Sequence, residues 1–284
     1  MTETVLLIGC GDLATALGQK LLIDGRSVIG VRRQAALLPE SFQPLSIDVT
    51  DSTACHQLSG RVYNSVVITV TPSNFSDEGY EKAYVYSLKN ILSVLQQQGD
   101  LPHVFFVSST SVYHQTEGEW VDELSDTLPE RFSGQRILQA EQLLKQSSLP
   151  HTIIRFAGIY GQGRSRLIER VKEGEGIGVT PIWWTNRIHK DDCVGFLYHL
   201  LQRQFTGKSL EQVYIGCDNQ PVSMAEVRQW LAEKLDVKLT VEARPAVKVG
   251  SKRCRNTLLK NSGYCLKYAD YKAGYTELLE QLGK

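Results

Sequence analysis

The first stretch of this chain whose residues could do chemistry is a glycine-rich segment near the N-terminus. Gly9, Gly11 and Ala14 follow the spacing Gly-x-Gly-x-x-Ala directly after a short apolar run. In this pattern the first glycine permits a tight turn, the second lets the backbone approach a pyrophosphate, and the alanine lets the following helix pack closely. The backbone at Asp12 and Leu13 would then begin a helix whose N-terminus holds the phosphates. The segment predicts a dinucleotide site; the alternative is a glycine-rich turn without a ligand.

Two arginines follow the second apolar run, Ser27–Val31, and they bear on the choice of cofactor. An NAD site usually has an acidic residue about 20 residues beyond the first glycine, where it binds the ribose 2′-hydroxyl. This chain has Arg32 and Arg33 there instead. Because a guanidinium group matches a phosphate in a bidentate way, the pair predicts NADP in preference to NAD. The alternative is that both arginines end the strand in solvent.

Three further side chains could take part in acid–base or substrate chemistry. Ser109 could orient a substrate carbonyl, or it could hydrogen-bond the backbone at a strand end. Tyr113 could act as an acid, although a packed aromatic side chain is the better interpretation. His189 could titrate near neutral pH, or it could be a satisfied polar side chain. The cysteines and histidines show no metal-ligand spacing, so no metal site is predicted.

Composition limits the classes of function that fit this chain. It has 284 residues, a formal net charge of zero and 42% hydrophobic residues. A neutral chain argues against a role at nucleic acids or membrane surfaces, and no apolar run approaches the roughly 20 residues of a membrane span. The N-terminus enters a strand pattern without a secretory leader, which predicts a cytoplasmic location. A small-molecule substrate remains the expected partner.

The elements that must position these residues alternate between strands and helices. This alternation is typical of an α/β fold with a doubly wound parallel sheet of the Rossmann type, in which ligands bind at the carboxyl ends of the strands. Long helices are predicted over Tyr80–Gln98 and Ser133–Ser147. The predicted strands are Thr4–Ile8, Ser27–Val31, Pro44–Val49, Ser65–Val70, His103–Val107 and Thr152–Phe156.

The alternation changes after Tyr160, which predicts a smaller second lobe. The predicted division is a nucleotide-binding domain of residues 1–160 and a substrate lobe of residues 161–284, with about 186–216 returning to the first domain. The polar segment Glu117–Pro129 is predicted as a loop and Lys238–Glu242 as a strand. Ser223 and Glu226 have the spacing of a capping box at the start of a helix.

The chain resembles the extended and atypical short-chain dehydrogenase/reductase superfamily, which includes NAD(P)-dependent epimerases and dehydratases. The resemblance covers nearly the whole length, and its motifs together are specific. They are Gly9-x-Gly11-x-x-Ala14, Asp48-Val49, Ser108–Tyr113, Arg155–Gly161 and Arg187–Asp192.

The resemblance also implies roles for individual residues. It places Asp48 and Val49 beside the adenine, and Val70 and Thr71 along the cofactor. Ser109 falls at the catalytic Ser/Thr position of the superfamily. Candidate substrate contacts are Tyr113, Arg187 and His189. By analogy with the superfamily, the two long helices imply a homodimer.

One departure from the superfamily pattern concerns its catalytic pair, Tyr-x-x-x-Lys. In that pair the tyrosine is the general acid/base, and the lysine holds the ribose and lowers the tyrosine pKa. Counting back from Ala140-Glu141 puts Ser133 at the tyrosine position and Ile137 at the lysine position. Two functions therefore stay open: an NADP(H)-dependent epimerase or oxidoreductase with a degenerate catalytic pair, and a non-catalytic NADP(H)-binding sensor or regulator.

Overall fold

The computed structural model describes residues 3–241 and 250–283, and its strands are numbered along the chain. The strands are β1 (Thr4–Ile8), β2 (Ser27–Arg32), β3 (Gln43–Ser46), β4 (Ser65–Ile68), β5 (His103–Ser109), β6 (Glu119–Val121), β7 (His151–Phe156), β8 (Gly158–Tyr160), β9 (Trp184–Thr185), β10 (Arg187–His189), β11 (Val213–Gly216), β12 (Val222–Ser223) and β13 (Lys252–Cys254). The helices are α1 (Asp12–Ile23), α2 (Ser52–Cys55), α3 (Asp77–Tyr80), α4 (Ser87–Leu95), α5 (Phe132–Gln146), α6 (Arg166–Lys172), α7 (Lys190–Phe205), α8 (Met224–Leu235), α9 (Thr257–Asn261) and α10 (Tyr271–Gln281).

The chain forms two compact units that interleave along the sequence. Unit 1 consists of Met1–Val112, Thr127–Arg155 and Val194–Tyr214, and unit 2 of Tyr113–Asp126, Phe156–Cys193 and Ile215–Lys284. The division therefore differs from a boundary at residue 160. Residues 113–126 and 156–160 belong to unit 2, and the segment that returns to unit 1 is 194–214 instead of 186–216.

The largest sheet has seven strands in the order β11-β7-β5-β4-β1-β2-β3, and β1 to β5 lie wholly in unit 1. β1 pairs in parallel with β2 and with β4, in the register Val5↔Val28 and Val5↔Ser65. The order reverses at β1, so the ends of β1, β2 and β4 surround the point where ligands bind in doubly wound sheets. The predicted α/β fold class is confirmed.

Apolar strand residues explain why this sheet is buried. Leu6, Ile8, Val66, Val104 and Phe106 are all fully buried. They pack in one core cluster with residues of the helix α4. Near-continuous apolar runs are typical of parallel strands that are covered on both faces.

The region predicted as one helix over Tyr80–Gln98 is not a single regular helix. It begins earlier, as α3, passes through the π-helical segment Glu81–Tyr86, and ends as α4 at Leu95. Ser76 caps α3 by accepting a hydrogen bond from the Gly79 N–H at 3.0 Å. π-Helical turns inside α-helices are frequent at functional sites.

Two predictions of secondary structure in unit 2 were wrong. The segment Glu117–Pro129 holds β6, which pairs in parallel with β13 through Lys252↔Glu119 and Cys254↔Val121. No strand forms over the described part of Lys238–Glu242; Val241 makes an isolated bridge to Ile177, and Glu242 lies outside the described residues.

In unit 2, the N-cap bond of the predicted capping box forms, and α10 completes the chain's helices. The Ser223 hydroxyl accepts the Glu226 N–H at 3.1 Å and begins α8. Tyr160, Leu231, Tyr271 and Tyr275 pack in the core cluster of this unit. Within residues 3–241 and 250–283, no helix combines the length and the apolar character that crossing a membrane requires.

Candidate cofactor-binding site

The glycine segment forms the turn between β1 and α1, and Gly9 is required by the fold itself. Gly9 has φ +77°, and a Cβ there would lie 2.8 Å from the Val70 backbone nitrogen. The Gly9 and Cys10 N–H groups both donate to the Val31 carbonyl, at 3.1 and 3.0 Å. Any other residue at position 9 would be strained by the positive φ, and its Cβ would clash with the Val70 backbone.

Gly11 differs, because the backbone does not need a glycine there. It is the N-cap of α1 with φ −91° and ψ −153°, and a Cβ would meet only the Gly9 carbonyl oxygen, at 3.8 Å. A side chain would therefore fit the fold but would fill the space in front of the helix N-terminus. A bare backbone at this place fits a ligand that needs close approach to the helix, as the pyrophosphate of a dinucleotide does.

A cavity of about 650 Å³ lies in unit 1 at this turn. Its size is in the range of sites for small molecules and cofactors. Eight of the residues predicted for cofactor binding line it: Gly9, Gly11, Arg32, Arg33, Asp48, Val49, Val70 and Thr71. Asp12 is exposed, whereas Leu13 and Ala14 are buried by the packing of α1.

The two arginines of the cavity wall stand at the end of β2. Arg32 is half-buried and Arg33 is exposed. Within the described part of the chain, neither guanidinium forms a salt bridge or a side-chain hydrogen bond, while the Arg33 carbonyl accepts the Ser46 hydroxyl at 2.8 Å. The arrangement leaves two cations at the cavity, where an anionic group of a ligand can reach them.

Asp48 is the acidic residue of the cavity wall, and its carboxylate accepts hydrogen bonds from its own loop. Its Oδ1 accepts both the N–H and the hydroxyl of Thr50, at 3.0 and 2.7 Å. Partial burial raises the pKa of Asp48, but the hydrogen bonds from Thr50 and the charge of Arg33 outweigh it and lower that pKa. The carboxylate is thus held beside Thr50 in its ionised form.

Sequence reasoning missed several residues that line the cavity. Thr50, Ser73, Lys82 and Ser87 bring polar or charged groups to its wall. Of these four residues, only Thr50 could have been predicted at the cavity from the sequence, because it lies two residues after Asp48. Lys82 carried none, because it lies in a segment that reads as an ordinary solvent-facing helix.

Ser109, the residue predicted for catalysis, does not line this cavity, and neither do Ser133 and Ile137 at the positions of the superfamily's catalytic pair. The Ser109 Oγ accepts the Ser111 N–H at 3.1 Å, which is the backbone hydrogen bond named as the alternative role. Ser133 is half-buried at the start of α5, and Ile137 is buried one turn later, with 3% exposed. Neither position offers a phenol or an ammonium group.

A buried ion pair joins two of the family motifs. Glu141 is fully buried, and its carboxylate accepts Arg155 Nε at 2.9 Å and Nη2 at 2.7 Å. The Ser108 hydroxyl donates to the same carboxylate at 2.6 Å. These hydrogen bonds tie β5, α5 and β7 together, so Glu141 and Arg155 have a structural role in unit 1.

In unit 2, the candidate substrate contacts Tyr113 and Arg187 are buried. Tyr113 is 3% exposed, and its hydroxyl donates to the Asp122 carbonyl at 2.8 Å. Arg187 is 6% exposed and donates from Nη1 to the Thr185 hydroxyl at 2.7 Å. Both side chains therefore have partners inside unit 2.

His189 is also enclosed in unit 2. Its ring packs against Tyr160 and Tyr268, with centroid distances of 5.2 and 4.1 Å, and its Nδ1 accepts the Asp191 N–H at 3.2 Å. Burial lowers the pKa of His189, against the charges of Asp191 and Asp192, which raise it. The geometry matches a satisfied polar side chain.

A buried acid lies near Arg187 in the same unit. Burial raises the pKa of Asp218 to about 7, against the hydrogen bond from the Gln220 N–H and the charge of Arg187. Asp218 Oδ2 and the Tyr160 hydroxyl are buried and have no hydrogen-bond partner among the described residues. Asp218 is thus a carboxyl group whose protonated form is favoured by its surroundings.

Comparison with known proteins agrees with this geometry. A family model described as NAD(P)H-binding matches residues 9–201. A protein from Methylobacillus flagellatus described as an NAD-dependent epimerase/dehydratase is 37% identical, with 100% of each chain covered and a TM-score of 0.84. A conserved protein of unknown function from Silicibacter pomeroyi is 26% identical over 99% of each chain, with a TM-score of 0.73.

A more distant likeness concerns the fold alone. A human epimerase family protein solved with NADPH is 16% identical, with 98% of this chain and 99% of that chain covered and a TM-score of 0.79. No protein of the curated collection matches the sequence.

The sheet order, the glycine turn and the cavity beside it define a nucleotide-binding protein of the Rossmann class. The chain belongs to the NAD(P)H-binding family, and it is similar over its whole length to a protein described as an NAD-dependent epimerase/dehydratase.

Proposed function

We propose that this protein binds NADP(H) and acts as an epimerase/dehydratase-like oxidoreductase on a small polar substrate of the nucleotide-sugar class. The observation that carries the choice of NADP is the position of Arg32 and Arg33. Both line the cavity, and the sequence has no acidic residue there to bind a ribose 2′-hydroxyl. Two guanidinium groups favour a 2′-phosphate, which a carboxylate would repel.

When bound, the nicotinamide would accept or supply a hydride. The residues of this chain would hold and orient the dinucleotide: Gly11 would admit the diphosphate to the N-terminus of α1, and the arginines would bind the 2′-phosphate. Ser109 is the proposed group for a substrate oxygen. Its Oγ accepts the Ser111 N–H, and its hydroxyl hydrogen can still be donated.

The cofactor proposal predicts tighter binding of NADP⁺ than of NAD⁺. Charge-assisted hydrogen bonds contribute about 1.5–3 kcal/mol each, so we expect a preference of at least about tenfold. Calorimetric titration of both cofactors measures it. The Arg32→Ala/Arg33→Ala variant should lose the preference by weakening NADP⁺ while NAD⁺ binds as before.

A matched control replaces two exposed arginines that do not line the cavity, Arg61 and Arg131, with alanine. This variant should keep the parent's ratio of affinities. Equal affinities in the parent, or an unchanged ratio in the Arg32→Ala/Arg33→Ala variant, would contradict the NADP proposal.

A second candidate function is a non-catalytic NADP(H) sensor or regulator. Ser133 and Ile137 favour it, because a serine hydroxyl has too high a pKa to replace a phenol and isoleucine carries no charge. The segments Arg155–Gly161 and Arg187–Asp192 favour the enzyme, because the resemblance to the superfamily rests partly on them. Turnover with bound cofactor distinguishes the two functions.

The degenerate pair predicts low NADPH oxidation by the parent against a panel of carbonyl substrates. General acid/base groups contribute about 10²–10⁴-fold to rates, so Ser133→Tyr/Ile137→Lys should raise turnover if the remaining residues are competent. Ser133→Phe/Ile137→Lys is the control, since it lacks only the phenol hydroxyl. Rapid NADPH oxidation by the parent would contradict the interpretation that its catalytic pair is degenerate. If turnover does not rise in Ser133→Phe/Ile137→Lys, the rise in Ser133→Tyr/Ile137→Lys comes from the phenol hydroxyl.

A further inference from the structure

A third cation stands in the wall of the cavity, on a different element from the arginines. Lys82 lines the cavity and belongs to the π-helical segment Glu81–Tyr86. In the sheet, β1 lies between β2, which ends at Arg32, and β4, which leads towards this segment. Neighbouring strands are about 4.8 Å apart, so the ends of β2 and β4 flank the glycine turn at about 10 Å from each other.

The carboxylates around Lys82 are mostly neutralised by another side chain. Arg136 of α5 donates to both oxygens of Asp77, at 2.7 and 2.9 Å, and its Nη1 lies 2.9 Å from Glu81. Glu78 pairs with Lys82 itself, at 2.6 Å. Arg136 thus removes two of the three nearby negative charges that would otherwise repel an anionic ligand.

The pair between Lys82 and Glu78 is weak enough to be released. Their side chains are 55% and 74% exposed, and exposed ion pairs of this i,i+4 type contribute little to stability. A diphosphate offers more negative charge and more acceptor oxygens than one carboxylate. Lysine binds phosphates as a compact point charge on a flexible stem.

We infer that Lys82 binds the diphosphate of the dinucleotide, while Arg32 and Arg33 bind the 2′-phosphate. This inference rests on the proposed NADP(H)-binding function. In the sheet, β2 and β4 lie on opposite sides of β1, and Lys82 belongs to the segment that follows β4. Lys82 therefore supplies positive charge to the ligand from the segment between α3 and α4. In α5, the position that holds the lysine of the superfamily's pair is Ile137, which carries no charge.

Two fragments of the cofactor separate the roles of the cations. ADP carries the diphosphate without a 2′-phosphate, and 2′-AMP carries the 2′-phosphate without a diphosphate. In calorimetric titrations, Lys82→Gln should weaken ADP and NADP⁺ about five- to twentyfold and leave 2′-AMP unchanged. Arg32→Ala/Arg33→Ala should do the reverse, weakening 2′-AMP and leaving ADP unchanged.

Three further variants sharpen this experiment. Lys89→Gln removes an exposed lysine of α4 that does not line the cavity, and it should bind every ligand as the parent does. Lys82→Arg keeps the charge and should restore most of the ADP affinity. Glu78→Gln frees Lys82 and should bind ADP as tightly as the parent or more tightly.

The outcomes distinguish this inference from the proposed function. If the parent binds NADP⁺ but Lys82→Gln binds ADP with the parent's affinity, the assignment of Lys82 is wrong and the proposed function stands. If the parent binds neither NADP⁺ nor ADP, both are wrong. Equal loss of ADP and 2′-AMP in Lys82→Gln, with an unchanged melting temperature, would also overturn the specific assignment to the diphosphate.

Discussion

Replacing Gly11 with valine is expected to abolish dinucleotide binding without unfolding the protein. A Cβ at Gly11 meets only the Gly9 carbonyl oxygen, at 3.8 Å, and the backbone has an ordinary negative φ. The two valine methyl groups would occupy the space where the diphosphate must approach the N-terminus of α1. We expect a loss of affinity of at least about 100-fold, which corresponds to about 2.7 kcal/mol.

The experiment compares this variant with two other glycine substitutions. Gly9→Val should lower the melting temperature strongly, because φ is +77° and its Cβ would lie 2.8 Å from the Val70 nitrogen. Gly99→Val adds the same side chain at an exposed position with open space around it, and should bind cofactor as the parent does. If Gly11→Val is folded and keeps the parent's Kd, the turn is not the diphosphate site.

Replacing Glu141 with glutamine is expected to lower the free energy of unfolding by about 3–5 kcal/mol. The glutamine has the same shape and can still accept the Ser108 hydroxyl. It leaves the Arg155 guanidinium, which is 2% exposed, without its charge partner. Equilibrium unfolding in urea, followed by circular dichroism, measures the change.

Glu40→Gln is the matched control, because Glu40 is an exposed carboxylate of the same unit. It should change the unfolding free energy by less than about 0.5 kcal/mol. Replacing both members of the pair, as in Glu141→Leu/Arg155→Met, should recover part of the loss, since well-packed apolar residues can substitute for a buried ion pair. A loss in Glu141→Gln no greater than that in Glu40→Gln would contradict the structural role of the pair.

The structure gives a physical reason for motif residues that sequence comparison only marks. Arg155 begins one of the motifs on which the resemblance to the superfamily rests, and from sequence it could be taken for a ligand-binding residue. Its partner Glu141 lies 14 residues earlier on a different element. Since a buried guanidinium needs a paired and hydrogen-bonded carboxylate, the two residues depend on each other for stability instead of forming a binding site.

The sequence alone determined the part of this protein that rests on local patterns. The unit β1–turn–α1 was predicted with its strand bounds, because an apolar run, a Gly-x-Gly-x-x-Ala turn and a helical repeat are adjacent in the chain. Alternation of strands and helices was enough for the fold class. The positions of Arg32, Asp48 and Thr71 at the cavity followed from the rule that strand ends meet at one edge of a parallel sheet.

Tertiary structure decided what depends on segments far apart in sequence. β6 forms only because β13 supplies its hydrogen bonds, with Lys252 opposite Glu119, and the polar sequence of β6 alone predicts a loop. Tyr113, Arg187 and His189 are polar residues whose burial and partners arise from packing in unit 2. Lys82 lines the cavity from a π-helical segment, and Arg136 of the distant helix α5 pairs with the neighbouring carboxylates Asp77 and Glu81. A local pattern specifies an element and its apolar face, whereas the burial and the partners of a polar side chain depend on the distant segments that pack around it.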